Sequence, residues 1–550
     1  MLNARTFCQI LLGEKKMRLL RTWCFVSLAL LLAALGSPVY GQGTTPADSA
    51  KPAGPAASEE EVQQLRREVA ELKAQIQRLV QASAPQVSGG AHLVQASDVE
   101  ASAVKPDDAN PSAIATTSDI EALQNEIEIL QKKASDTPPA TSGWTGEHFF
   151  LKSPDGQFTI MPVGYLNAQY TFFKGDGAPP DTFAIRRARF GVQGSYGKQL
   201  DYAFLFDTAA TNGISVRDAY IDFKPWNAFQ IEGGQFKVPF SQEVGTGDTN
   251  VEFIERSITT QLYPDAAGTF RAPGAMLHGN LRDGMFQYWV GLFNGKGIIA
   301  NNTTNEPEIT GRIRFYPFKK SSNEKFKGFA VGASVEHSRS RGLSNELSFS
   351  GVTNDSAFTF FPQFRINGGI DRYNGHFQWL YGPWGVRGEY TQILEKRTGL
   401  GSEQLGGIGF QTLPGIVGKG AYAQVSYLLT GEREPENAIP RVKHPVIGPP
   451  SPGETGGPGW GAWQLKFRYS WIEGRAPEFT CPLTTCPITP VIFPLQSDHT
   501  DQFSGGFNWY LNYWVLLKFD LNVDRLVNPS VQGISRQSYF VALQGVQFRF

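Results

Sequence analysis

Basic side chains recur at alternate positions in several extended stretches of this 550-residue sequence. Because side chains of a β-strand alternate between its two faces, residues separated by one position point to the same side. Cationic groups in a row lower the barrier for anions, and the forked donors of arginine match phosphate oxygens. The candidates for lining such an anion pathway are Arg187, Arg189, Arg312, Arg314, Lys466, Arg468 and Lys518.

Acidic residues oppose this basic set. Asp218 and Asp222 have the same predicted strand parity as the basic candidates. The long loop 238–272 is the best candidate to fold inward and narrow a pore, and most of its charges are acidic. It carries Glu243, Asp248, Glu252, Glu255 and Asp265 against Arg256 and Arg271. An acidic constriction favours cations or neutral solutes, so two selectivities stay open.

Other chemistry finds little support in the sequence. The histidines lack H-E-x-x-H or other ligand spacing, and no G-x-S-x-G motif occurs. Cys481 and Cys486 share one loop, where an intraloop disulfide is expected in an oxidising compartment, and two thiols alone make a poor metal site. The net charge of −1 lacks the excess of basic residues that is typical of nucleic-acid-binding proteins. We therefore predict no enzyme activity, cofactor, metal or nucleic-acid partner.

The chain ends on a strand-like stretch, Tyr539–Phe550, whose alternate residues are apolar. A transmembrane barrel needs such a last strand, because it must pair with the first strand and leave no open edge in lipid. A buried terminal strand of a soluble all-β domain is the alternative. The terminal Phe550 also resembles the sorting signal that the bacterial outer-membrane assembly machinery reads.

From residue 157 onward the hydrophobic period is two, clearest at 158–172, 463–471 and 513–523. Short turns alternate with long loops, which is typical of outer-membrane barrels. The predicted fold is all-β: an antiparallel transmembrane β-barrel of 16 strands over residues 151–550, preceded by a short helical coiled-coil stalk. The stretch 431–460 breaks this pattern as a long connection on the short-turn side. Residues 358–365 are either an extra strand or part of a folded loop.

The first 150 residues are predicted to contain a targeting segment followed by a stalk. Residues 1–41 have the features of a secretory signal peptide, with an apolar core too short to remain as a span. A heptad pattern predicts a coiled coil over 61–81, with a monomeric amphipathic helix as the alternative. A capping-box pattern begins a second predicted helix, 118–133. Linkers at 42–60, 82–117 and 134–150 separate these segments and complete a periplasmic stalk.

Three motifs carry a family resemblance: F-A-I-R-R-A-R-F-G-V-Q-G at 183–194, D-A-Y-I-D-F-K-P at 218–225 and G-G-Q-F-K-V-P-F-S-Q-E at 233–243. In this order they resemble the phosphate-selective porin O and P family, and the later pieces at 312–318, 429–432 and 461–465 agree. The resemblance covers nearly all of 150–550. It implies a homotrimer of 16-stranded barrels, each with its own pore, and it places Arg187 and Arg189 in that pore. Arg186 has the opposite parity and is expected at an interface.

The leading hypothesis is an outer-membrane porin for passive diffusion of small anions such as phosphate. Its expected partners are outer-membrane lipid, small permeant ions, the other subunits of a homotrimer and the assembly machinery. One alternative is a general or cation and neutral-solute porin on the same scaffold. Another is a structural tether, in which residues 42–140 link the outer membrane to the cell wall and the barrel serves as an anchor.

Overall fold

The computed structural model describes residue 125 and residues 140–550, with gaps at 176–177, 210–212, 265–269, 342–345, 354–358, 362, 400–411, 477–495 and 528–535. The chain divides into two units, Met1–Glu128 and Ile129–Phe550, and the strands of the described residues belong to the second. The predicted signal peptide, coiled coil and linkers before residue 118 lie outside the described residues, as does the second helix apart from residue 125. Asp265, Cys481 and Cys486 also lie outside them, so the disulfide stays a prediction.

A hairpin precedes the barrel, formed by β1 (Thr141–Trp144) and β2 (Phe149–Lys152). Leu151 of this hairpin pairs with Ile160, which joins it to the main sheet. The prediction of a linker up to residue 150 is therefore wrong for residues 141–150. Bulky aromatic residues favour extended structure there, and the Trp144 ring lies 6.0 Å from the Trp514 ring.

The main sheet has 18 strands, namely β1, β2 and sixteen barrel strands. In chain order the remaining strands are β3 (Phe158–Lys174), β4 (Thr182–Tyr196), β5 (Leu200–Asp207), β6 (Ser215–Trp226), β7 (Phe229–Lys237), β8 (Arg271–Leu281), β9 (Phe286–Phe293), β10 (Glu308–Phe315), β11 (Ala330–Ser340), the two loop strands β12 (Gly351–Val352) and β13 (Thr359–Phe361), then β14 (Gly368–Tyr381), β15 (Trp384–Arg397), β16 (Leu413–Leu428), β17 (Ala462–Ala476), β18 (Gln496–Tyr510), β19 (Val515–Val527) and β20 (Arg536–Arg549).

The last strand closes the barrel. Strand β20 pairs antiparallel with β3, from Phe540 opposite Lys174 to Arg549 opposite Tyr165. Beyond the strand, the Phe550 amide donates to the Gly164 carbonyl at 3.0 Å, and the Gly164 amide donates back at 3.1 Å. This closure leaves no unpaired barrel edge, and it confirms the predicted 16-stranded antiparallel barrel.

The two faces of the wall differ in chemistry. Along β17 the outward Phe467 and Tyr469 are 58% and 41% exposed, whereas the intervening Lys466 and Arg468 are 0% and 4% exposed. An apolar outer face suits lipid, and the polar inner face is covered by loops that fold into the barrel. Among the described residues, no helix combines the length and the apolar character required to cross a membrane.

Short turns join the strands at the barrel end where β3 begins and β20 ends, for example residues 227–228 and 382–383. The connection 429–461 is the long exception at this end, and the turn 316–329 contains a short helix, α2 (Glu324–Lys327). At the opposite end, the loop after β7 contains α1 (Gln242–Gly245) and a 3-10 helix, Ile258–Leu262. The region 358–365 belongs to a folded loop whose strands β12 and β13 pair with each other.

An apolar core lies inside the barrel, between loops and wall. Ile258 and Leu262 of the 3-10 helix pack with Phe349 and Phe361, whose rings stack at 5.1 Å. Wall residues of β15, β16 and β17 complete this cluster, namely Ile393, Ile416 and Ile472. The loops are therefore fixed to the inner wall by hydrophobic burial as well as by polar contacts.

Candidate pore constriction

Residues 238–270, here called the inward loop, leave the wall after β7 and cross the barrel interior before β8. The loop begins with a capped turn, since the Ser241 hydroxyl accepts from the Val244 amide at 3.2 Å. Gln242 then donates its side-chain amide to Gln378 of β14 at 2.9 Å. The Glu243 backbone amide donates to Glu389 of β15 at 2.6 Å. These contacts anchor the first turn of the loop to a distant part of the wall.

The middle of the inward loop is held through its backbone carbonyls. Lys466 and Asn508 both donate to the Glu252 carbonyl, at 2.7 and 3.0 Å. Lys518 donates to the Val251 carbonyl, and Gln547 donates to the Thr249 carbonyl at 2.9 Å. Side chains of β17 to β20 thereby satisfy carbonyls that otherwise require water, which fixes the loop against this side of the barrel.

Asp248 is the electrostatic centre of the loop. Its carboxylate is buried within 4.0 Å of four cations, Arg189, Lys237, Arg256 and Arg271. The Arg189 guanidinium is the nearest of the four, and the Arg256 guanidinium lies 2.8 Å from the carboxylate. Burial opposes ionisation, but the surrounding cations outweigh it and hold the pKa of Asp248 well below its usual value. This carboxylate neutralises wall arginines more than it adds negative charge to the lumen.

The other loop acids with described positions are paired too. Glu255 accepts two hydrogen bonds from Arg186, at 2.7 and 3.2 Å. Glu252 forms an ion pair with Arg387 of β15. Glu243 accepts from the Ser257 amide at 2.8 Å and lies 3.5 Å from Arg468.

Arg186 contradicts the sequence expectation. Asn167 pairs with Arg187, whereas the next residue, Ala168, pairs with Ile185, so Arg186 is the extra residue of a β-bulge. Strict alternation assigns this side chain to the outer face, but the bulge resets the parity and brings Arg186 to Glu255 inside the barrel. Its predicted place at an interface is therefore wrong.

The seven predicted pore cations separate into two groups. Arg189, Arg314, Lys466 and Arg468 each pair with a carboxylate, of Asp207 and Asp248, Glu436, Asp520 and Glu243 respectively. Among the residues with described positions, Arg187, Arg312 and Lys518 have no carboxylate within 4.0 Å. Arg312 donates to the Ser241 carbonyl at 3.0 Å and lies over the Trp289 ring at 5.0 Å. Arg187 has partly exposed surface.

The two predicted acids of the wall, Asp218 and Asp222, also have side-chain partners. Asp218 accepts two hydrogen bonds from Arg271, at 2.8 and 3.0 Å. Asp222 lies 3.0 Å from a ring nitrogen of His278.

Phe253 of the inward loop covers two of the wall cations. Its ring centre lies 4.8 Å from the charged group of Lys466 and 4.2 Å from that of Arg468.

Sequence reasoning missed Arg387, which bonds to Glu252 and to Glu434. The sequence does contain a signal for Arg387. Val386 and Tyr390 have one strand parity and Arg387 and Glu389 have the other, which is the same alternation of apolar and charged residues that identifies the other wall strands. In the part of the chain that the structure describes, no group of three or more His, Cys, Asp or Glu residues is arranged to hold a metal ion.

A closed 16-stranded barrel with an apolar outer face and a polar loop folded across its interior defines a transmembrane porin-type β-barrel. Residues 164–525 match the sequence model of the phosphate-selective porin O and P family, and the chain belongs to this family. It is therefore an outer-membrane porin. Porin O of Pseudomonas aeruginosa is 22% identical over 395 residues, which cover 66% of this chain and 82% of that protein.

Two solved structures are among those that the chain resembles. An anion-selective porin from Comamonas acidovorans is 12% identical with a TM-score of 0.44, and the match covers 72% of this chain and 100% of that chain. The trimer form of OmpT from Vibrio cholerae is 10% identical with a TM-score of 0.43, at 72% and 100% coverage.

Proposed function

We propose that the barrel forms a water-filled channel for passive diffusion of small anions such as phosphate. The observation that carries this proposal is the difference in pairing between the predicted pore cations and the acids of the inward loop. Arg187, Arg312 and Lys518 lack a carboxylate partner within 4.0 Å in the described parts of the chain. The loop acids Glu243, Asp248, Glu252 and Glu255 each have a cationic partner. The positive charge that remains available favours anions.

The pairing of the loop acids bears on the alternative of a channel for cations or neutral solutes, which the acidic composition of the loop had left open. Counted alone, the inward loop is acidic and favours cations or neutral solutes. The loop acids instead form ion pairs, whose fields largely cancel beyond a few ångströms, whereas Arg187, Arg312 and Lys518 have no such partner among the described residues. The cation and neutral-solute alternative is therefore the less favoured one.

Phosphate suits the remaining cations because of their chemistry. A guanidinium offers donors in a fixed fork that matches two phosphate oxygens, and an ammonium adds a compact charge. Arg187 is the leading contact, since it has exposed surface and lies in the R-R-A-R segment that the family resemblance assigns to the pore. Arg312 and Lys518 are the next candidates.

The test is chloride current through the purified protein in a planar bilayer, with phosphate added at constant ionic strength. The proposal expects phosphate to reduce chloride current in a saturable way, because both anions compete for the same cations. An equal reduction by sulfate indicates general anion selectivity without preference for phosphate. Insensitivity of the current to both anions contradicts the proposal.

We further propose that the barrel assembles as a homotrimer, as membership of the family implies, and that Phe550 directs recognition by the outer-membrane assembly machinery. Residues 42–140 are proposed to form a periplasmic stalk. Cross-linking in intact cells tests the oligomer, with a threefold ladder expected. Deletion of 42–140 tests the tether alternative: conductance should persist, and loss of envelope integrity with unchanged conductance would favour the tether.

A further inference from the structure

The connection 429–461 folds back into the barrel instead of forming a short turn. It links β16 to β17 at the end where the other described connections are short, and that end faces the periplasm in outer-membrane barrels. Leu428, Ile439 and Val442 form a buried cluster with Tyr510 and Leu516, so this segment has an apolar anchor of its own. Glu436 extends from it to Arg314 at 2.6 Å and to the Tyr316 hydroxyl at 2.5 Å.

The tip of this connection contacts the inward loop directly. The Gly247 amide donates to Oδ1 of Asn437 at 2.7 Å, and the Asn250 side chain donates to the Asn437 carbonyl at 2.7 Å. Asn437 has a φ of +46°, a left-handed conformation that asparagine adopts more readily than most residues. Two segments that enter the barrel from opposite ends therefore meet through hydrogen bonds.

Arg387 joins the same two segments a second time. One guanidinium nitrogen bonds to Glu252 of the inward loop, and the other donates to Glu434 Oε1 and to the Pro435 carbonyl, both at 3.1 Å. The remaining oxygen of Glu434 accepts from Gln464 at 2.8 Å. The side chains of Arg387, Glu252 and Glu434 are 14%, 8% and 2% exposed, so the bridge is shielded from water.

A cavity of about 180 Å³ lies between the two segments and the wall. The inward loop contributes Glu243 and Glu252, the connection contributes Glu434 and Asn437, and the wall contributes residues that include Trp289, Arg312, Gln378 and Tyr422. A space of this size holds several water molecules or one small solute. Two of its boundaries are the segments that Arg387 and Asn437 connect.

We propose that the 429–461 connection is a second constriction in series with the inward loop, and that Arg387 is the positioning residue that holds the two together. The inference rests on the proposed function, because it requires a conducting barrel. Solutes pass the inward loop, enter the cavity and then pass the connection. Loss of the Arg387 guanidinium removes the hydrogen bonds that join Glu252 of the inward loop to Glu434 and Pro435 of the connection, so the two segments become free to separate.

The test compares single-channel conductance and the size limit for sugars in liposome swelling. If the two constrictions have similar resistances in series, release of one raises conductance about twofold, since narrow segments dominate passage. R387M is expected to show this increase and a larger size limit, while R387K, which keeps the charge but loses the fork, is expected to fall between R387M and the native protein. R339M is the matched control, because it makes the same substitution at an arginine that is 51% exposed on the outer face of β11.

N437G is a second variant, which weakens the contact between the two segments without removing a buried charge. Glycine tolerates the positive φ, so this variant removes the bonds that the Asn437 side chain accepts from Gly247 and Asn250, and it should raise conductance by a smaller factor than R387M. Native conductance and a native size limit in R387M or N437G, as in the R339M control, would overturn the second constriction. Absence of any channel in the native protein would instead overturn the proposed function itself.

Discussion

Substitution of Arg187 by glutamine should weaken anion selectivity strongly. The change removes one positive charge that has no carboxylate within 4.0 Å among the described residues. For an ion passing at about 5 Å in a water-filled lumen, two unit charges interact by about 0.8 kcal/mol. A Debye length of about 10 Å at 0.1 M salt reduces this to about 0.5 kcal/mol. That energy corresponds to about a 2.3-fold change in local ion concentration, of opposite sign for anion and cation, so the chloride-to-potassium permeability ratio should fall about fivefold.

The assay is the zero-current potential across a tenfold KCl gradient, measured for the native protein, R187Q and a control. R339Q is the matched control, because Arg339 is 51% exposed and belongs with Val335 to the outward face of β11. Loss of the same charge on the outer face of the barrel should leave the chloride-to-potassium permeability ratio nearly unchanged. A shift in R187Q no larger than the shift in R339Q would refute the role of Arg187 in the pathway. Higher salt should reduce the effect of R187Q, since screening shortens the reach of the charge.

Three further predictions concern the loop and its partners. D248N should lower the free energy of unfolding in urea by about 3 kcal/mol or more, because buried arginines lose their counter-charge. Since the pKa of Asp248 is held well below its usual value, its contribution is fully present above about pH 4 and is lost only as the pH falls through the lower folded pKa, so unfolding measured at pH 5 and 7 should show no change attributable to it. R186A should make the zero-current potential more cation-selective, because Glu255 loses its 2.7 Å partner, and an unchanged potential would place Glu255 off the pathway. Burial and the Glu252 carboxylate raise the pKa of Glu434 to about 8, so its contribution to stability is fully present below about pH 4, is lost as the pH rises through 8 and does not change further above that. Because Glu434 ionises beside Glu252 in this range, conductance should rise between pH 7 and 9, and E434Q should abolish that rise.

Much of the fold could be predicted because the relevant signal is local. Alternation along β17 distinguishes Lys466 and Arg468 from Phe467 and Tyr469 without knowledge of any other strand. The terminal strand could likewise be recognised from its own residues, and its pairing with β3 follows from the need to close the sheet. The hairpin at 141–152 was missed because its two short strands depend on attachment to β3.

The site was less predictable because its contacts join distant parts of the chain. Glu252 and Arg387 are 135 positions apart, and nothing in either local stretch indicates that they pair. Counting charges in the inward loop therefore overstated its acidity. Arg186 was assigned to the wrong face because one inserted residue shifts the period of two, and a bulge of this kind has no clear signature in R-R-A-R.

The sign of the zero-current potential of the native protein across a KCl gradient at pH 7 tests the central proposal most directly. Chloride selectivity is expected, because Arg187, Arg312 and Lys518 have no carboxylate within 4.0 Å in the described structure while the loop acids are paired. Cation selectivity would contradict the proposal, and it would mean that the carboxylates of the inward loop govern passage in spite of their ion pairs.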